Sequence, residues 1–134
     1  MENPDKRNRG KHNPGLTHAW YATRIALQGL RSAFQHEDAF RQEVIIAAVA
    51  IPIALFLPAS MLAKILMVSS ILLVLIVELL NSALESAVDH TSLELHPLAK
   101  RAKDIASAAV FLSIMNALVV WGLVIWGMVM PGRG

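Results

Sequence analysis

The sequence contains no cysteine, so it offers no disulfide framework, no thiolate metal ligand and no Cys nucleophile. Charge is scarce too. Asp, Glu, Lys and Arg make up 16% of the 134 residues, against roughly a quarter in an ordinary soluble domain. The formal net charge of +2 is too small to argue for nucleic acid as a partner. No Gly-rich phosphate loop and no protein-kinase signature occurs, which excludes a soluble nucleotide fold as the source of any ATP chemistry. There is no internal repeat. What remains is apolar: 55% of the residues are hydrophobic, and the mean hydropathy is +0.51.

The apolar residues are gathered in long runs, as a membrane solvent demands. Residues 44–63 are 20 consecutive positions without a charge, enough for a straight helix to cross about 30 Å of hydrocarbon. Pro52 lies inside this run, and Pro58 with Ser60 marks a turn at its far end. Residues 65–84 carry a single charge, Glu78, and residues 105–132 carry none. In the last run Ala106, Ser107, Ala108 and Ala109 give a smooth face for close helix contact, while Trp121 and Trp126 suit the far membrane interface. Before these runs, residues 16–36 place Ala19, Ala22, Ala26, Gly29, Leu30 and Ala33 at helical spacing, with Arg24, Gln28, Arg31 and Gln35 between them. That pattern predicts an amphipathic helix on the membrane surface, its arginines reaching toward lipid phosphate, in preference to a helix packed on the protein itself. The basic, Pro- and Gly-rich residues 1–14 lack a following apolar core and read as a disordered cytoplasmic tail rather than a secretory signal.

The expected fold class is therefore an all-α membrane protein, three transmembrane helices preceded by an amphipathic surface helix. The tail occupies 1–14 and the membrane domain 15–132, with the surface helix at 16–36 and spans at about 40–58, 62–86 and 104–130. Ten of the 12 Lys and Arg precede the first span or join the second to the third; only Lys64 and Arg133 lie on the other side. The positive-inside rule then puts the N-terminus in the cytoplasm and the C-terminus across the membrane.

Within this frame the informative residues are acidic. Glu78, Asn81 and Glu85, three and seven positions apart, share one helix face. A carboxylate in hydrocarbon is expensive, so Glu78 must face protein, water or a cation. Glu85 and Asp89 continue this side toward the cytoplasm, and Glu37, Asp38 and Glu43 stand where the first span begins. Such oxygen donors suit Mg2+ when phosphate oxygens complete its shell. Lys100, Arg101, Lys103 and Asp104 open the third span at the same level, where a lysine could steady a phosphate. On pattern alone, catalysis, ion passage and a non-enzymatic assembly role all stay open.

The stretches GLRSAF at 29–34, EDAFRQE at 37–43, VELLNSALESAVD at 77–89 and AKRAKDIASAAV at 99–110 strongly resemble the bacterial integral-membrane diacylglycerol kinase family. The likeness runs over about residues 15–130. It implies a homotrimer in the bacterial inner membrane, with active sites between subunits at the cytoplasmic face and the C-terminus periplasmic. It also implies ATP-dependent phosphorylation of sn-1,2-diacylglycerol to phosphatidic acid with Mg2+. By the same resemblance Glu78 is the general base and Asn81 its catalytic polar partner. Glu37 and Glu85 are the metal-coordinating carboxylates, Lys103 neutralises nucleotide phosphates, and Asp89 and Asp104 lie beside the nucleoside. Glu43 and Ser107 line the lipid site, with Arg31 toward lipid. The surface helix departs from the pattern. His18 and Tyr21 stand where the family commonly has Arg and Lys, and Ile25 where many members have Tyr, leaving Arg24, one turn away, to replace a phosphate contact. A related branch phosphorylates undecaprenol, but FRQE at 40–43 reads more like the diacylglycerol branch.

Overall fold

The computed structural model describes residues 15–91, 96–130 and 132; the expected tail at 1–14 lies outside them. The element order is α1 (Leu16–His36), α2 (Asp38–Phe56), α3 (Met61–Thr91) and α4 (Pro97–Val129). The chain divides into two units, residues 1–32 and 33–134. The described part of the first is all of α1 but its last turn, and α1 buries none of its residues. The second unit holds the three helices long and apolar enough to cross a membrane, with α3 packed against both α2 and α4.

α1 keeps the bounds expected of it, but the other helices do not coincide with the apolar runs. α3 continues to Thr91, and α4 begins at Pro97, seven residues ahead of the expected span. The reason is local chemistry. His96 caps α4 by accepting the Leu98 amide on its Nδ1 at 3.1 Å, and Pro97 fills the first helical position, where no amide hydrogen is needed. A helix once nucleated propagates through charged residues as readily as through apolar ones. Hydrophobicity therefore marks where a helix crosses lipid, not where it ends.

The turn between α2 and α3 falls at the expected prolyl segment and is closed by three bonds. The Ala59 amide donates to the Leu57 carbonyl at 2.8 Å. Ser60 Oγ accepts from the Ala63 amide at 3.2 Å, and Lys64 Nζ donates to the Leu55 carbonyl at 2.8 Å. The lone basic residue here thus satisfies a helix-end carbonyl that would otherwise lack a donor.

Small side chains let the backbones approach. α2 buries Phe40, Ala47 and Ala54 at a seven-residue period, and α3 buries Met67, Ser70, Val74, Glu78 and Ser82 along one stripe. α4 contributes Ser113 and Ala117. Ser70 Oγ donates to the Met67 carbonyl and Ser113 Oγ to the Val110 carbonyl, each at 2.7 Å. Trp121, expected at a membrane interface, turns inward instead. Its Nε1 donates to the Met67 carbonyl at 3.3 Å, because an indole N–H packed in apolar surroundings needs an acceptor. Trp126 is exposed.

Candidate functional site

The acidic face predicted on α3 is present, and it is graded in exposure. Glu78 is buried, Asn81 and Glu85 are half-buried, and Asp89 is exposed. Asn81 Nδ2 donates to Glu85 Oε1 at 3.3 Å, a bond between successive turns that orients both groups. The Asn81 Oδ1 atom is buried and has no partner.

Two further carboxylates approach this face. Glu43, in the first turns of α2, feels the charge of Glu78, and Glu78 feels Glu85 and Glu37. One Glu43 oxygen, Oε2, is buried without a partner. Like charges brought together in a poorly solvated place repel, so this end of the bundle is built to receive positive charge or donated protons. A cavity of about 380 Å³ runs between α2, α3 and α4. Its walls include Ile46, Ala50, Val74, Ala117 and Trp121, and Glu43 is the charged residue in its lining.

Positive charge comes from α4. Lys103 forms an ion pair with Asp89 that joins α4 to the end of α3, and Lys103 also lies in the field of Glu85. Lys100 pairs with Asp104 at 2.6 Å one turn along α4, both groups exposed. Asp104 is thus engaged within its own helix, while Lys103 ties the two helices at the acidic end.

Among the described residues no three His, Cys, Asp or Glu converge as a self-sufficient metal cage. Mg2+ does not require one, since it is held by one or two carboxylates together with substrate phosphates and water. Glu37, Glu85 and the unpartnered amide oxygen of Asn81 supply hard oxygen donors that fit such an ion.

Ser107 is exposed on α4, whereas Glu43 lines the cavity. His18, Tyr21, Arg24 and Arg31 are all exposed on α1, in the first unit.

Two polar residues were not singled out by their spacing. Ser82, one turn beyond Glu78, is buried and its Oγ has no partner, unlike Ser70 and Ser113. Its position four residues from Glu78 was the available signal. Arg41 donates from Nε to the Phe34 carbonyl at 3.1 Å and from Nη2 to Asp38 Oδ1 at 2.9 Å. Only the Asp38 contact, three residues away, is visible in a helical pattern.

Comparison with known proteins identifies the family. The family model described as prokaryotic diacylglycerol kinase matches residues 24–125, a stretch that includes every acidic candidate and Lys103 but begins after His18 and Tyr21. A diacylglycerol kinase of Haemophilus influenzae is 47% identical over 108 residues, covering 81% of this chain and 92% of its own. One from Pseudomonas aeruginosa is 46% identical over 111 residues, covering 83% and 90%. One from Escherichia coli K12 is 42% identical over 107 residues, covering 80% and 88%. With a match over most of its length and the acidic face of α3 inside that match, the chain belongs to the prokaryotic diacylglycerol kinase family.

Proposed function

We propose that this protein transfers the γ-phosphoryl group of ATP to the free hydroxyl of sn-1,2-diacylglycerol, giving phosphatidic acid and ADP. The reading is supported chiefly by Glu78, a carboxylate buried in a membrane helix and accompanied on one face by Asn81 and Glu85. Nothing in a bundle of this kind needs an acid there for stability, because burying a charge is costly unless it is compensated.

In this reading Glu78 accepts the proton of the lipid hydroxyl as that oxygen bonds to the γ-phosphorus, and the bond from phosphorus to the β,γ-bridging oxygen breaks, releasing ADP. Asn81 orients the reacting groups while tethered to Glu85. Lys103, released from Asp89, meets the phosphates, and Asp89 and Asp104 lie beside the nucleoside. Glu43, with Ser107 and Arg31, faces the lipid. Glu37 and Glu85 hold Mg2+, which when bound neutralises phosphate charge. His18, Tyr21 and Arg24 supply whatever nucleotide contacts α1 makes. The protein works as a homotrimer in the bacterial inner membrane, with the acidic end of the bundle and the N-terminus cytoplasmic and the C-terminus periplasmic. The placement of ten of 12 basic residues supports that orientation.

The test is an assay of purified protein with labelled ATP and two lipid alcohols, diacylglycerol and undecaprenol. Labelled phosphatidic acid is expected, disappearing in Glu78→Gln. Exclusive labelling of undecaprenol would overturn the substrate, and absence of any lipid-dependent turnover would overturn the kinase reading.

A further inference from the structure

The junction of α1 and α2 is a single residue, Glu37, whose backbone is extended at φ −110° and ψ 109°. A break this short leaves two helix ends to be satisfied almost at one point: the last carbonyls of α1 and the first amides of α2. The residue at such a position usually turns its side chain onto the following amides. Glu37 does not; its carboxylate makes no capping bond.

Arg41 serves the other helix end, the last carbonyls of α1. Its Nε donates to the Phe34 carbonyl at 3.1 Å, and its Nη2 reaches Asp38 Oδ1 at 2.9 Å, with a longer 3.5 Å contact to the Gln35 carbonyl. One guanidinium therefore satisfies carbonyls before the break and holds the acid that begins α2. The Glu37 amide donates to the Ala33 carbonyl at 2.8 Å, and the Arg41 amide to the Glu37 carbonyl at 3.1 Å. All of these groups lie in the second unit. The Glu37 carboxylate, left out of the capping, lies in the electrostatic range of Glu78.

We propose that Arg41 is a positioning residue for the phosphate–cation site, clamping residues 34–38 so that Glu37 presents its carboxylate to a divalent cation beside Glu78. The inference rests on the reading of Glu37 as a metal ligand. It requires a planar fork of donors, since a lysine ammonium is a single point of charge that cannot match the carbonyl and the carboxylate together. Residues that orient a ligand typically change metal affinity by about ten- to a hundredfold when removed.

The experiment measures Mn2+ binding by electron paramagnetic resonance on the purified full-length protein with a non-hydrolysable ATP analogue present. Four variants are compared: Arg41→Ala, Arg41→Lys, Glu37→Gln and the Arg41→Ala/Glu37→Gln pair. Arg41→Ala is expected to weaken Mn2+ binding by about tenfold or more, and Arg41→Lys in the same direction by a smaller factor. The double variant should bind no worse than Glu37→Gln alone, because Arg41 acts through Glu37. Hydrogen exchange at the Glu37 amide should accelerate in Arg41→Ala, with exchange in the middle of α3 unchanged. If Glu37→Gln weakens binding and Arg41→Ala does not, the role of Arg41 is overturned and the metal reading stands. If Glu37→Gln leaves binding intact, both fall. Additive losses in the double variant would also overturn action through Glu37. Should Arg41→Ala fail to fold, Arg41→Lys carries the same comparisons.

Discussion

Replacing Glu78 by Gln keeps the side chain's size and removes its capacity to accept a proton, so it separates chemistry from packing. On the proposed role of Glu78 as general base, turnover should fall by about 10²–10⁴-fold, while helix content by circular dichroism should be unchanged. Lys103 and Asp89 make the complementary case. Their ion pair lies at the exposed end of the bundle, where such pairs add little stability. Lys103→Met should therefore raise the KM for ATP without moving the unfolding transition, and a normal KM would remove Lys103 from the phosphate site. Glu78, Asn81 and Glu85 were legible in the sequence because helical periodicity alone puts them on one face. Arg41 was not, because its partners are mostly backbone carbonyls, which no side-chain pattern displays. Ser82 was hidden for another reason: a serine in a membrane helix ordinarily bonds to its own helix, as Ser70 and Ser113 do, and only the structure reveals one that does not.

Among the elements, α3 and α4 were recognised as apolar runs but carry more than those runs. The His96–Pro97 start of α4 was available as a cap signal, yet the charged residues behind it hid the helix from a reading based on hydrophobicity. Their mutual packing was not legible, since the contact at its centre is a backbone carbonyl. The Met67 carbonyl receives both Ser70 Oγ and Trp121 Nε1. Trp121→Phe keeps most of the ring and removes the N–H; a cost of about 0.6–1.7 kcal/mol is expected from hydrogen bonds between membrane helices, measurable by equilibrium unfolding in mixed micelles. Met67 is fully buried, so Met67→Ala should cost about 2–5 kcal/mol in the same experiment. The ordering of the two variants checks whether packing or the indole bond dominates the α3–α4 seam.

At the scale of the whole molecule, apolar side chains face outward on every helix, including Ile45, Leu62, Leu73, Leu112 and Leu123. This inverts the soluble pattern and leaves broad surfaces for lipid and for further copies of the chain. Native mass spectrometry from detergent should find an assembly of three 14.6 kDa chains; a monomer that retains full lipid phosphorylation would refute the trimeric reading. The three-span plan was legible because an apolar stretch of 20 residues with at most one charge has few other uses.

The length of α3 has a consequence beyond packing. Its 31 residues extend over about 46 Å at 1.5 Å each, against about 30 Å of hydrocarbon. Measured from Met61, Glu78 stands about 26 Å up, Glu85 about 36 Å and Asp89 about 42 Å. In the proposed orientation the helix is a graduated post planted through a phase boundary, with one mark at the oil's edge and the others in progressively wetter layers. An oil-soluble alcohol and a water-soluble nucleotide share no solvent, and in the proposed reaction a post so graduated lets each come to its own mark without either leaving its medium.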